Sequence, residues 1–203
     1  MQPIVYILDD DEGARASLSW LVASVGLSAK CFGSAAEFLS GFDPDCAACL
    51  VLDVRMPEVG GFEVQELLRG RKSHMPIIFV SGHGDIPMSV RAMKNGAFDF
   101  VEKPYNSQAM LERIQEAVRA ATAQYEKAKK RKALEQRLAL LSPREREVLR
   151  RVVDGKTSKM IARELQITAK TVDLHRTSIH EKLGSTSVAS LVREVLLHFG
   201  RDI

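Results

Sequence analysis

The chain has 203 residues, 45% of them hydrophobic, enough for one large or two modest globular domains with packed cores. Formal net charge is +3, but up to Ala120 there are 11 Lys and Arg against 16 Asp and Glu, and from Ala121 onward 18 against 10, so an acidic half is joined to a basic half. The longest uncharged stretch, Ala16 to Ala29, falls short of a membrane span of about 18 residues, the first dozen residues carry no Lys or Arg of a secretory leader, and Cys31, Cys46 and Cys49 give no disulfide framework; a cytoplasmic protein is expected.

The first apolar run, Ile4 to Leu8, meets four consecutive acids, Asp9, Asp10, Asp11 and Glu12. Two carboxylates about 4 Å apart repel by roughly 1 kcal/mol in bulk water and about 4 kcal/mol at an effective dielectric of 20, so such crowding calls for a cation or for a solvated turn. Helical spacing follows at Leu18, Leu21, Val22 and Val25, and Ser28 to Phe32 fits an edge strand. Cys46-Ala-Ala-Cys49 has redox-dithiol spacing, but it runs into the apolar strand Cys49 to Leu52 instead of opening a helix that would lower a thiol pKa. Two more strands are predicted at Ile77 to Val80 and Phe98 to Val101, and a helix through Leu111, Ile114, Val118 and Ala121. The loop Gly82-His83-Gly84-Asp85, with two glycines flanking His83 and no second His or Cys nearby, reads as a mobile loop, not a metal site.

Strand alternating with helix predicts an α/β fold, a doubly wound parallel sheet. Ligands of such sheets bind beyond the carboxyl ends of the strands. Those ends carry Asp9-Asp10, Asp53, Ser81 and Lys103-Pro104, a set of polar residues that chance would rarely place on one edge.

From Arg119 to Leu141 the chain is charged and free of Pro and Gly, with Lys127, Lys129, Lys130, Arg131 and Lys132 close together, and it reads as a helical extension. Leu134, Leu138 and Leu141 could pack on either half or on a second chain. Ser142-Pro143-Arg144-Glu145 is a helix start with an N-cap, Pro at N1 and the Glu of a capping box, and Gly155 closes that helix. Helices are predicted from about Ser158 to Leu165 and from about Ala169 to Leu183, joined by Gln166-Ile167-Thr168; a short helix, tight turn and longer helix are the parts of a helix-turn-helix. Ile161, Ala162, Leu165, Val172 and Ile179 should hold the two together. A last helix, about Ser187 to Phe199, carries Val188, Leu191, Val192, Val195 and Leu196 at a spacing suited to pairing two DNA-binding domains.

Residues 4 to about 118 resemble the receiver domain of bacterial two-component response regulators at Asp9-Asp10, Asp53-Val-Arg-Met-Pro57, Gly61, Ser81, Phe100 and Lys103-Pro104. The resemblance implies a five-stranded flavodoxin-like sheet, strand order 2-1-3-4-5, in which Asp10, Asp53 and the backbone carbonyl of Arg55 bind Mg²⁺ directly and Asp9 acts largely through water. Asp53 would accept a phosphoryl group from a phosphohistidine on a partner sensor histidine kinase. Lys103 and the metal would screen the charge, Ser81 would bond the phosphoryl oxygens, and Phe100 would rotate inward as Ser81 moves. The Lys103-Pro104 bond would be cis. Asp11 and Glu12 would serve the dipole of the first helix. A haloacid-dehalogenase-type phosphohydrolase shares several of these groups, but its general acid would fall at Arg55, which cannot donate and recover a proton near neutral pH, so no enzyme is expected.

Leu141-Ser-Pro-Arg-Glu-Arg-Glu147, Lys159-Met-Ile-Ala-Arg-Glu-Leu165 and Thr171-Val-Asp-Leu-His175 resemble the LuxR-type DNA-binding domain, and the whole is similar to FixJ-like response regulators. The expected division is 1–118 receiver, 119–137 helical linker and 138–203 helix-turn-helix domain. Lys170, Thr171, Asp173, Leu174, Arg176 and Thr177 would face double-stranded DNA. Arg176 would read guanine or touch phosphate; Asp173 would accept from a cytosine amine or pair with Lys170 or Arg176 on the helix surface. A phosphorylation-dependent homodimer is expected through the region from Met88 to Phe100. A constitutive DNA-binding regulator with an inert receiver is the rival, disfavoured because every receiver position is filled.

Overall fold

The structure, a computed structural model, describes residues 2–82, 86–184 and 187–200, so the His83 loop lies outside the described residues. The chain divides into two compact units, Met1–Lys127 and Ala128–Ile203. In the first, β1 (Ile4–Leu8), β2 (Ser28–Phe32), β3 (Ala48–Asp53), β4 (Ile77–Ser81) and β5 (Asp99–Glu102) form one parallel sheet in the order β2-β1-β3-β4-β5. Between them come α1 (Glu12–Ala23), α2 (Ala35–Gly41), α3 (Gly61–Gly70) and α4 (Ile86–Lys94), and α5 (Ser107–Ala139) follows.

The central strands are apolar throughout because both faces are covered. Tyr6, Leu8, Leu50, Leu52 and Phe79 pack with Phe38, Phe62 and Val64, whereas Val5, Ile7, Cys49, Val51 and Ile78 pack with Leu18 and Val22 of α1 and with Met110 and Ile114 of α5. The two-residue period of a strand sorts neighbours onto opposite faces. Asp11 caps α1, its carboxylate accepting from the Ala14 N–H at 2.8 Å, and Glu12 sits in the first turn. That helix stops at Ala23; Val25, expected on its apolar face, lies beyond it and is exposed, because Gly26 turns the chain with φ +75°.

Cys49 is buried in β3 and Cys46 lies in the loop before it, donating to the Asp43 carbonyl at 3.2 Å. Burial raises both thiols, Cys49 to about 12, which leaves little thiolate for redox chemistry.

In the second unit α6 (Pro143–Val153), α7 (Ser158–Leu165), α8 (Ala169–Leu183) and α9 (Val188–Phe199) surround Val148, Leu149, Ile161, Ala162, Val172, Ile179 and Leu183. Leu165 packs against this core from a half-buried position. Thr157 caps α7, Gln166 ends it in the left-handed region, Thr168 caps α8 and Gly184 closes that helix at φ +61°. Two expectations change here. Leu134 and Leu141 are buried in this same core with Leu138 against it, and Arg137 donates to the Leu183 carbonyl and to Glu194, both at 2.6 Å, so the end of the stretch expected as a linker is built into the second unit. On α9, Leu191 and Val195 are consumed by the unit's own core, leaving Leu196 and Leu197 exposed.

The capping box of α6 is complete and does more than cap. Glu145 accepts from the Ser142 N–H at 2.7 Å while Ser142 accepts from the Glu145 N–H, and the Glu145 carboxylate also takes the Lys182 ammonium at 2.8 Å and the Ser178 hydroxyl at 2.7 Å, which ties α6 to α8. Burial alone would raise its pKa, but the Lys182 contact and the Ser142 and Ser178 donors hold it down to about 2. A carboxyl depressed on folding stabilises above its unfolded pKa and loses that contribution as pH falls through the folded one. Protection of α6 and α8 amides from hydrogen exchange should therefore decline between about pH 4.5 and 2. Glu145→Gln should lower that protection at pH 7 and flatten the decline.

Candidate functional site

Parallel pairing sets the geometry of one sheet edge. Leu8 faces Leu52 in register, so Asp9 and Asp53, the next residue of each strand, finish side by side; Ser81 ends β4 opposite Glu102 of β5, and Lys103 follows. The Lys103 ammonium donates to Asp9 Oδ2 at 2.7 Å and to Asp53 Oδ1 at 2.8 Å. Distances this short are those of a charge-assisted bond to an ionised carboxylate. Asp9 Oδ1 accepts from the Asp11 N–H at 2.9 Å and Asp53 Oδ2 from the Arg55 N–H at 2.7 Å, so each of the four carboxylate oxygens has a donor.

Asp9, Asp53 and Ser81 are all more than nine-tenths buried. Burial raises the Asp53 pKa from its ordinary value, and the Lys103 bond works against that rise. For Lys103 burial acts to lower the pKa, but the bonds to Asp53 and Asp9 outweigh it and the ammonium is held protonated. Two carboxylates on one ammonium leave an excess negative charge, and Asp10 adds to it.

Asp10 is exposed, and among the described residues no three acidic, His or Cys side chains are gathered closely enough to hold a metal by themselves. The assembled pair, Asp9 and Asp53, still fits Mg²⁺, which takes oxygen donors, is typically held by one or two carboxylates and keeps several waters or phosphate oxygens. The Arg55 N–H caps Asp53 while the Arg55 side chain is exposed. Phe100 is half-buried, packed beside Phe79 with ring centroids 6.4 Å apart, and Lys103-Pro104 is cis.

One contributor was not foreseen. Arg15 Nη1 donates to the carbonyls of Asp9 at 2.7 Å and Asp10 at 2.9 Å, pinning the acidic loop by its backbone. Its only sequence signal is a basic residue in the first turn of a helix otherwise opened by acids. Gly61 lies against the site from α3: its N–H donates to the Val54 carbonyl, and a Cβ there would stand 2.4 Å from the Asp53 carbonyl oxygen.

On the second unit, Lys170, Asp173, Leu174 and Thr177 are exposed along one side of α8, with Leu174 64% exposed, while Val172, Ile179 and Leu183 face inward. Thr171 is half-buried and its N–H and hydroxyl engage Thr168 in the helix cap. Asp173 Oδ1 accepts from the Ser158 hydroxyl at 2.7 Å, and Arg176 Nη1 donates to the same hydroxyl at 3.2 Å. The expected pairing of Asp173 with Lys170 or Arg176 is replaced by this contact through α7.

Comparison with known proteins agrees with both halves. Residues 5–115 match the family described as "Response regulator receiver domain", and residues 139–195 that described as "Bacterial regulatory proteins, luxR family". The Response regulator protein TodT of Pseudomonas putida is 44% identical over 190 residues, covering 94% of this chain and 84% of that protein. The Transcriptional regulatory protein FixJ of Azorhizobium caulinodans is 39% identical over 193 residues, covering 95% and 92%. Among solved structures, the response regulator StyR superposes with a TM-score of 0.86 at 40% identity, covering 96% of this chain and 98% of that one. No helix of the described residues is long and apolar enough to cross a membrane.

Gly61→Ala should destabilise the first unit by about 1 to 3 kcal/mol, as overpacking against fixed backbone does. Gly70→Ala, at a helical position with nothing within 4 Å, should cost nothing measurable. Urea unfolding followed by circular dichroism checks both; equal effects would show that the approach to Asp53 is not what requires glycine.

Proposed function

The chain belongs to the response regulators that join a receiver domain to a LuxR-type DNA-binding domain, and from that premise we propose that Asp53 is its phosphoacceptor and that phosphorylation there controls binding of α8 to DNA. The observation that carries this is the Asp9–Lys103–Asp53 contact: a buried nucleophilic carboxylate with a second carboxylate and a cation beside it. The donor would be a phosphohistidine of a sensor histidine kinase. An Asp53 carboxylate oxygen forms the new bond to phosphorus, the phosphorus–nitrogen bond breaks, and the freed imidazole leaves, giving an acyl phosphate.

Lys103 then has phosphoryl oxygens within reach in place of one of its present partners, and the Ser81 hydroxyl at the end of β4 supplies a hydrogen bond to another. Asp10, Asp53 and the backbone carbonyl of Arg55, with Asp9 acting through water, would hold Mg²⁺, which supplies positive charge to the phosphoryl oxygens when bound. Receiver chemistry falls within 1–118 and DNA recognition within 138–203, with the working compartment the cytoplasm. Phe100, packed on Phe79, would transmit a movement of Ser81 to α4 and β5.

That surface suits a second copy of the chain. Ile86, Val90 and Met93 fall at i, i+4 and i+7 on α4 and are 80%, 44% and 48% exposed, an apolar stripe next to the proposed switch. Pairing matters because a helix-turn-helix usually binds as a dimer on half-sites about 34 to 36 Å apart.

Incubation with Mg²⁺ and acetyl phosphate should give one base- and hydroxylamine-labile phosphate per chain, and Asp53→Asn should abolish it; equal labelling of the variant would reject the assignment. In sedimentation, phosphorylation should move the full-length protein from monomer toward dimer. Phe100→Ala should take up phosphate yet fail to make that shift.

A further inference from the structure

Ser158 is not among the residues expected to face DNA, yet its hydroxyl is shared by two residues of the proposed recognition helix. It sits in the first turn of α7, donates to Asp173 Oδ1 at 2.7 Å and accepts from Arg176 Nη1 at 3.2 Å. A hydroxyl has one donor and two acceptor sites, so one serine serves both contacts at once. We propose that Ser158 is a specificity-determining positioning residue: by holding Asp173 and Arg176 as one unit it fixes which base Arg176 reads. The inference rests on the reading that α8 enters the major groove.

The physical reason is the freedom of arginine. Four side-chain torsions let an unheld guanidinium reach either a phosphate or a base edge, whereas bidentate reading of guanine needs two donors in a fixed plane. With Nη1 committed to Ser158, the Nε and Nη2 pair is the edge left for the O6 and N7 acceptors of guanine. The same hydroxyl occupies Asp173 Oδ1, so Asp173 is held away from competing for Arg176 and keeps Oδ2 for a donor. Arg176 is half-buried and Asp173 exposed, which puts the guanidinium against the α7–α8 seam and the carboxylate toward solvent. Thr157, not Ser158, caps α7, accepting from the Met160 N–H. Loss of the Ser158 hydroxyl therefore leaves the helix start intact.

The test uses the full-length phosphorylated protein and a pool of duplexes with a randomised central segment. The preferred sequence of the wild type is selected from the pool, and single-base variants of it are then measured by competition. Ser158→Ala should bind unrelated DNA as wild type does, with an unchanged salt slope, while its discrimination at the base position read by Arg176 falls roughly tenfold. Ser158→Thr, which keeps the hydroxyl, should restore it. Arg176→Ala separates this inference from the reading beneath it. If Arg176→Ala relaxes that position and Ser158→Ala leaves the base profile unchanged, the positioning role is wrong. If neither variant alters the profile, α8 is not reading bases through Arg176 and both fall. An equal loss for Ser158→Ala on every sequence, with a shallower salt slope, would make Ser158 a phosphate contact and also overturn the proposal.

Discussion

The Lys103 ammonium, shared between Asp9 and Asp53, is the contact that the receiver edge is built around. Two buried carboxylates at neighbouring strand ends would repel strongly without it, because low dielectric magnifies the interaction. Its position is set by elements far apart in sequence. Register between β1 and β3 puts the acids side by side, while β5 delivers Lys103, whose N–H donates to the Ser81 carbonyl at 2.8 Å. Backing comes from Gly61, where no side chain fits, and from Arg15, which holds the acidic loop by its carbonyls. The crowding of acids after the first strand is thus divided between two tasks: Asp9 faces the ammonium, and Asp11 caps a helix.

The basic unit applies the same economy to a different problem. Glu145 completes the α6 cap and anchors α8 through Lys182 and Ser178, so the helix that carries the proposed recognition residues is fixed from behind by one carboxylate. Its exposed side is thereby left to Lys170, Asp173, Leu174 and Thr177. Charge asymmetry along the chain follows the two units, an acidic half whose buried carboxylates are gathered on one lysine and a basic half suited to a polyanion.

Local signals carried far in this sequence. Ile4–Leu8 and Ser28–Phe32 match their apolar runs end for end, and α7 and α8 start and stop where caps and turn residues mark them. Fold class and the edge residues Asp9, Asp53, Ser81 and Lys103 follow from strand periodicity plus the rule that ligands sit beyond strand ends. Long-range packing was not legible. Leu191 and Val195 have the spacing of an interface but fill a core, since a helical stripe does not say what covers it. Leu134 and Leu138 likewise gave no hint of which partner they choose. Ser158 carries no local signal of its contacts, because Asp173 and Arg176 lie 15 and 18 residues away.

Borohydride reduction of the acetyl-phosphate-treated protein tests the central claim most directly, because it converts an acyl phosphate to an alcohol and marks the residue that carried it. Mass spectrometry of the peptide spanning β3 should show homoserine at position 53 in the phosphorylated sample and unchanged Asp53 in the untreated one. Homoserine at Asp9 or Asp10 instead, or no reduced residue in a sample that has taken up phosphate, would contradict the assignment of Asp53 as the acceptor.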